Sequence, residues 1–126
     1  MDVDLTPFQN QKHINITTFR KNGEGVSTPV WFAEENNKVY ICTGPSTFKA
    51  RRIRNNPNVK IAPSTSSGKA TSEYIDGAAQ ILPIDKIGPI KRLFRKKYRM
   101  FRLWNGMFNI RKKEAEKHIY LKITPN

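Results

Sequence analysis

Three runs of β-favouring residues, separated by two short polar turns, open this chain and leave it few ways to fold. Residues 13–20, His-Ile-Asn-Ile-Thr-Thr-Phe-Arg, read as a strand. Lys21-Asn22-Gly23-Glu24-Gly25 then places two glycines in a polar cluster, the pattern of a hairpin turn. Residues 26–33 form a second strand. Its period of two sets Val26, Thr28, Val30 and Phe32 on one face and Ser27, Pro29, Trp31 and Ala33 on the other. Glu34-Glu35-Asn36-Asn37 is the second turn, and residues 38–43 are a third strand. Loops this short join antiparallel neighbours, so the opening segment is a meander.

The pattern changes after Thr43-Gly44-Pro45-Ser46, a turn. Residues 47–55 read as a short helix with Ser46 or Thr47 as N-cap, and Ala50 and Ile53 can face the core. Pro57 stops it, because the residue before a proline avoids the α region. Strands follow at 59–65 and 73–82, joined by a flexible tip at Ser66-Ser67-Gly68-Lys69; Gly77, Ala78 and Ala79 give the second of them a narrow waist. From Asp85 to about Arg102, Ile87, Ile90, Phe94, Tyr98 and Phe101 recur at spacings of three and four, the stripe of an amphipathic helix. Gly88-Pro89 sets its regular part near Pro89. Residues 103–110 read as a loop or second short helix, and Ile119, Leu121 and Ile123 mark a closing strand over 117–124. Six strands with two helices predict a mainly β fold, a small antiparallel barrel with helical decoration, in one domain spanning residues 1–126.

Composition removes several classes of function. No apolar run approaches the length that crosses a bilayer, and the start Met1-Asp2-Val3-Asp4 lacks the form of a secretory signal, so a cytoplasmic protein is expected. A single cysteine, Cys42, rules out an intramolecular disulfide and a CxxC motif; set in Val39-Tyr40-Ile41-Cys42, it reads as a buried, inert thiol. The formal net charge is +13, from 23 Lys and Arg against 10 Asp and Glu. Eleven of the basic residues lie between Lys86 and Lys113, with no acidic residue among them. Such a surface attracts anions: nucleic acid, acidic lipid or a polyanionic small molecule.

No phosphate-binding P-loop, no GxGxxG and no HExxH occurs, and His13 and His118 each stand alone in their strands. Any redox or group-transfer chemistry therefore falls to a cofactor. The best anchor for one is residues 43–52. Free N–H groups at a helix N-terminus carry partial positive charge and favour phosphate. Thr43, Ser46 and Thr47 offer hydroxyls, Lys49 sits in the first turn, and Arg52 lies on the same face three residues on. A capped surface helix with solvated charges explains the same residues. Pro29 adds a second clue. It cannot donate to a sheet ladder, so it implies an edge, a bulge or a break. A planar heterocycle with a carbonyl and N–H edge could pair with the freed groups beside Trp31; Trp31 as a core residue of an edge strand is the alternative.

Taken in order, these segments resemble the pyridoxamine 5'-phosphate oxidase-like, FMN-binding split-barrel superfamily, and within it the deazaflavin (coenzyme F-420)-dependent oxidoreductases. The resemblance is carried by Thr17-Thr18-Phe19-Arg20-Lys21-Asn22-Gly23, Ser27-Thr28-Pro29-Val30-Trp31-Phe32 and Val39-Tyr40-Ile41-Cys42-Thr43-Gly44. Lys49-Ala50-Arg51-Arg52-Ile53-Arg54-Asn55-Asn56-Pro57 and Tyr74-Ile75-Asp76-Gly77-Ala78-Ala79 complete it, so it covers roughly residues 13–83. It implies a six-stranded split β-barrel and a homodimer holding two cofactors, FMN or coenzyme F-420, in grooves between protomers. It further implies that Lys49, with Thr47 before it, holds the cofactor phosphate, that Thr43 contacts the phosphate or ribityl chain, and that Thr28, Pro29, Val30 and Trp31 lie along the ring. The expected activity is hydride transfer to an unsaturated or quinone-like small molecule, with solvent or Tyr74 supplying a proton. The basic residues that grip pyridoxal phosphate in the oxidases have no match here. The anionic tail of coenzyme F-420 suits the cationic helix, whose residues equally suit a solvated face; contact of that helix with a membrane surface is disfavoured because its apolar stripe is needed on the barrel. Two other functions stay open: a nucleic-acid-binding small barrel stacking bases on Phe19, Trp31 and Tyr40, and a cofactor carrier without turnover. No nucleic-acid partner is expected, because the charge gathers on a helix and the aromatics on strands.

Overall fold

The computed structural model describes residues 5–9, 11–43, 48–98 and 119–126. Within them the strands are β1 (His13–Phe19), β2 (Gly25–Glu35), β3 (Lys38–Thr43), β4 (Asn58–Ser64), β5 (Ile75–Ile81) and β6 (Ile119–Pro125). Helix α1 spans Phe48–Asn55 and α2 spans Gly88–Lys97, with 3-10 turns at Thr6–Phe8 and Ile84–Lys86. The strands close into a barrel in the order β1-β2-β3-β6-β5-β4, every neighbouring pair antiparallel.

Alternation along the strands separates two apolar layers. Ile14 and Ile16 of β1, Phe32 of β2, Val39 and Ile41 of β3, Val59 and Ile61 of β4, and Leu121 and Ile123 of β6 fill the barrel. Ile53 of α1 and Phe8 of the first 3-10 turn join the same core, Phe8 meeting Phe32 edge-on at 6.1 Å. The second layer lies outside the barrel wall. Ile90 and Phe94 from α2 and Tyr98 just after it pack there on Ala33 and Tyr120, with Trp31, Tyr40 and Cys42 half-buried around them. The described part of the anticipated stripe, Ile87, Ile90, Phe94 and Tyr98, is thus spent on the barrel, and Phe101 lies outside the described residues.

The turns explain the small departures from the sequence reading. Glu34 and Glu35 belong to β2, and the connection to β3 is only Asn36-Asn37, both at positive φ (52° and 63°). Two residues in that conformation match the twist of the flanking strands, so the strands extend to the turn itself. At the expected start of the long helix, Gly88-Pro89 breaks the chain into a 3-10 turn and a separate α2. The remainder of that helix, the 103–110 segment and the beginning of the closing strand fall outside the described residues. Gly77 is where β5 and β6 come closest: a Cβ there would lie 2.9 Å from Ile123 Cγ2 and 3.1 Å from the Thr124 carbonyl oxygen.

One ladder is short. β2 pairs with β1 over Gly25–Trp31 but with β3 only over Phe32–Glu35, from Phe32–Ile41 to Glu35–Lys38. The barrel wall is therefore split between the first half of β2 and the end of β3. The direction of the β2 backbone follows from Phe32. Its N–H and C=O both meet the Tyr98 hydroxyl, which also reaches the Lys12 carbonyl directly across on the β1 side. Groups alternate along a strand, so the nitrogen of Pro29 faces the split, where no ladder bond is lost.

Candidate functional site

The split has two walls. On the β2 side, Thr28 and Val30 point into the barrel and Pro29 and Trp31 point out. The Thr28 side chain is half-buried and its Oγ1 is sealed from solvent without a hydrogen-bond partner. Val30 packs against the barrel core. Outside, Pro29 lies opposite Asn15 and under the β4–β5 loop, where Gly68 crosses at positive φ (96°). A Cβ on Gly68 would stand 3.5 Å from Pro29 Cδ. Asn15, almost fully buried, donates from Nδ2 to the Gly68 carbonyl at 2.5 Å and to the Tyr74 hydroxyl at 3.0 Å. Its Oδ1 has no partner. Tyr74 itself is 40% exposed, with its hydroxyl proton still available to donate.

On the β3 side, Thr43 is buried at the strand end, and α1 begins five residues on with no acidic residue in its first turn. Arg52, half-buried, directs Nη1 toward Thr18 Oγ1 at 3.4 Å. The guanidinium is thereby held against the rim of the barrel where β1 ends. Ser46 and Thr47 lie outside the described residues; the main chain of Lys49 lies in the first turn of α1, and its side chain lies outside the described residues.

The outer end of β2 is an aromatic and cationic cluster. Trp31 Nε1 donates to His13 Nε2 at 2.9 Å, and its indole stacks on Tyr98 at 4.5 Å with 10° between the planes. That hydrogen bond requires His13 neutral at Nε2, and burial, with the charges of Lys12 and Lys97, lowers the imidazole pKa from its ordinary value. Lys97 Nζ sits 3.3 Å above the centre of the Phe32 ring. Burial pushes its pKa down to about 8, with Glu34 pulling it back up, while the ring face favours the ammonium. Cys42 is half-buried beneath α2, and burial pushes its thiol up to about 11, in keeping with an inert residue. Among the described residues no group of three metal-ligating side chains comes together. No described helix is long and apolar enough to cross a membrane.

No family model matches the sequence, and no curated protein matches it. Solved structures do. A proposed pyridoxamine 5'-phosphate oxidase from Listeria innocua superposes with a TM-score of 0.69 at 16% identity, over 97% of this chain and 90% of that one. An F420 reductase gives 0.64 at 13%, over 96% and 91%. The heme storage protein HutZ of Vibrio cholerae gives 0.65 at 15%, over 98% and 92%. The fold is the pyridoxamine 5'-phosphate oxidase-like split barrel.

In this split barrel the residues singled out from sequence fall in several places. Thr28 and Val30 line the inner side of β2, Pro29 and Tyr74 share the outer face under the Gly68 loop, Thr43 stands across the split at the end of β3, and Arg52 lies at the rim beside Thr18 of β1. Trp31 is turned away from these toward α2, with Tyr98 stacked on it. The pattern alone missed Asn15, Thr18 and Tyr98. A lone amide in an otherwise apolar and hydroxyl-bearing strand was a legible signal for Asn15. Nothing local marks Thr18 or Tyr98, whose partners are 34 and 66 residues away.

Proposed function

We propose that this split barrel binds a flavin or deazaflavin coenzyme, with the phosphate at the β3–α1 junction and the ring along the unladdered half of β2. It would use the coenzyme to transfer hydride to a small organic substrate. The observation that carries the reading is Thr28: a hydroxyl sealed from water without a partner costs free energy, and a ligand heteroatom in the split would supply one. The opposite side of the split suits an anion. Buried Thr43 and the N-terminus of α1 border it, Arg52 at the rim beside Thr18 adds a cation, and no carboxylate in the first turn of α1 opposes them.

When bound, such a ring supplies a reversible two-electron hydride centre. The chain would hold it by its phosphate, lay Pro29 and Val30 against it, and keep water from its inner side with the core above Ile14 and Ile16. Tyr74, accepting from Asn15 and free to donate, is the candidate proton source. Exposed Arg92, Arg95 and Lys96 on α2 suit an anionic coenzyme tail. Two protomers are proposed to enclose each coenzyme, as the resemblance implies.

A heme, held by another protein of this fold, needs an axial ligand. Among the described residues the one histidine, His13, already accepts from Trp31. A base-stacking platform is disfavoured for a similar reason, since Trp31 and Tyr40 lie half-buried under α2.

The test is an absorption spectrum of the purified protein, then titration with FMN and with coenzyme F-420. Saturable binding of one of them is expected, and Lys49→Ala should weaken it by ~1.5–3 kcal/mol, the scale of a hydrogen bond to a charged group. Affinity unchanged in that variant removes the phosphate assignment. Failure of both coenzymes to bind removes the function.

A further inference from the structure

The Trp31–His13 pair does something that packing alone does not require. We propose that it is a coupled electron and proton donor: Trp31 gives up one electron while its Nε1 proton crosses to Nε2 of His13. The product is a neutral indolyl radical beside an imidazolium, and the electron passes to a one-electron oxidant, here a light-excited flavin in solution, which is reduced by one electron. Return of the electron and the proton restores the pair.

The geometry selects this indole over its neighbours. The Nε1 proton already lies on a hydrogen bond of 2.9 Å to a basic nitrogen. Tyr98, stacked on Trp31, is oxidisable too, but its hydroxyl donates to the carbonyl oxygens of Lys12 and Phe32, both at 2.7 Å. Amide carbonyls are far weaker bases than imidazole, so neither of these two can take the tyrosine proton. Tyr120 and Cys42, deeper in the cluster, are held protonated by burial. Lys12, which precedes β1, and Lys97, at the adjoining end of α2, lower the imidazole pKa, so the imidazolium formed by the transfer gives up its proton readily. Moving the proton to His13 places the charge on a side chain that is only half-buried.

This inference stands apart from the coenzyme site, since the oxidant is added free. The experiment is transient absorption on Trp104→Phe protein, in which Trp31 is the sole tryptophan, with lumiflavin excited by a light pulse. The neutral indolyl spectrum should appear together with flavin reduction, more slowly in D2O. His13→Gln, which keeps a hydrogen-bond acceptor but not a base, should lose that prompt signal and show the cation radical first. Protein with unchanged His13 should convert to the His13→Gln behaviour when acid protonates the imidazole. Circular dichroism establishes that each variant is folded, and the acid titration applies where the His13→Gln protein is not. The same cation-radical lifetime with and without His13 overturns the proposal. So does a transient that survives Trp31→Phe, which would place the donor on a tyrosine.

Discussion

The Tyr98 hydroxyl stands where a main-chain bond between Lys12 and Phe32 would otherwise continue the β1–β2 ladder. It accepts from the Phe32 N–H at 3.0 Å and offers its single proton to two carbonyl oxygens. Tyr98→Phe keeps the ring stacked on Trp31 but strands the Phe32 N–H in a dry site. Urea unfolding should show a loss of ~1–3 kcal/mol, the cost of an unsatisfied buried donor, with an unchanged m-value. Thr28→Val should behave oppositely. Its hydroxyl has no partner to lose, so stability without ligand should hold or rise, while coenzyme affinity falls. A Thr28→Val protein that loses stability and keeps affinity would refute the role given to this residue. At this scale the sequence was half legible. Pro29 announced a break in the ladder, because a residue without an N–H cannot donate on the side its nitrogen faces. Tyr98 announced only an apolar stripe, since its hydroxyl partners come from distant chain.

Between elements, the consequential event is the early parting of β2 from β3. A two-residue turn starts the ladder, and four residue pairs later it ends, so the site is an interval between strands and not a property of either. Helix α2 closes the outside of the same region, and its last residue, Lys97, carries a cost that pH can read. The folded pKa of Lys97 is about 8 against an ordinary 10.5. Above pH 8 the folded state sheds this proton while the unfolded chain keeps it, so stability rises with pH. Cys42 acts the other way above its ordinary 9.0, because its folded value is about 11. The Lys97 contribution therefore stands clear between about pH 8 and 9, and Lys97→Met should flatten the rise there in denaturant titrations across that window. An identical slope in the variant would show that the amine is not desolvated. The sequence carried the elements themselves well, since strand alternation and helix period are local. It did not carry the split, because pairing length depends on which edges the barrel brings together.

For the molecule as a whole, the expected solution species is a dimer of 14.6 kDa chains, with the coenzyme between protomers. Binding at such a groove is linked to association by mass action. Sedimentation should show the dimer persisting to lower protein concentration when coenzyme is present. A monomer that binds coenzyme with no effect on association would place the whole site within one chain.

By itself the sequence determined six strands, two helices and one barrel, because each rests on period, turn chemistry or the limits of proline. Only the tertiary structure decided that Trp31 turns to His13 and Tyr98, that Asn15 is locked under the Gly68 loop, and that Thr28 is left without a partner. These are relations between residues far apart in the chain, fixed when the barrel closes and the unpaired polar groups must find one another or go without.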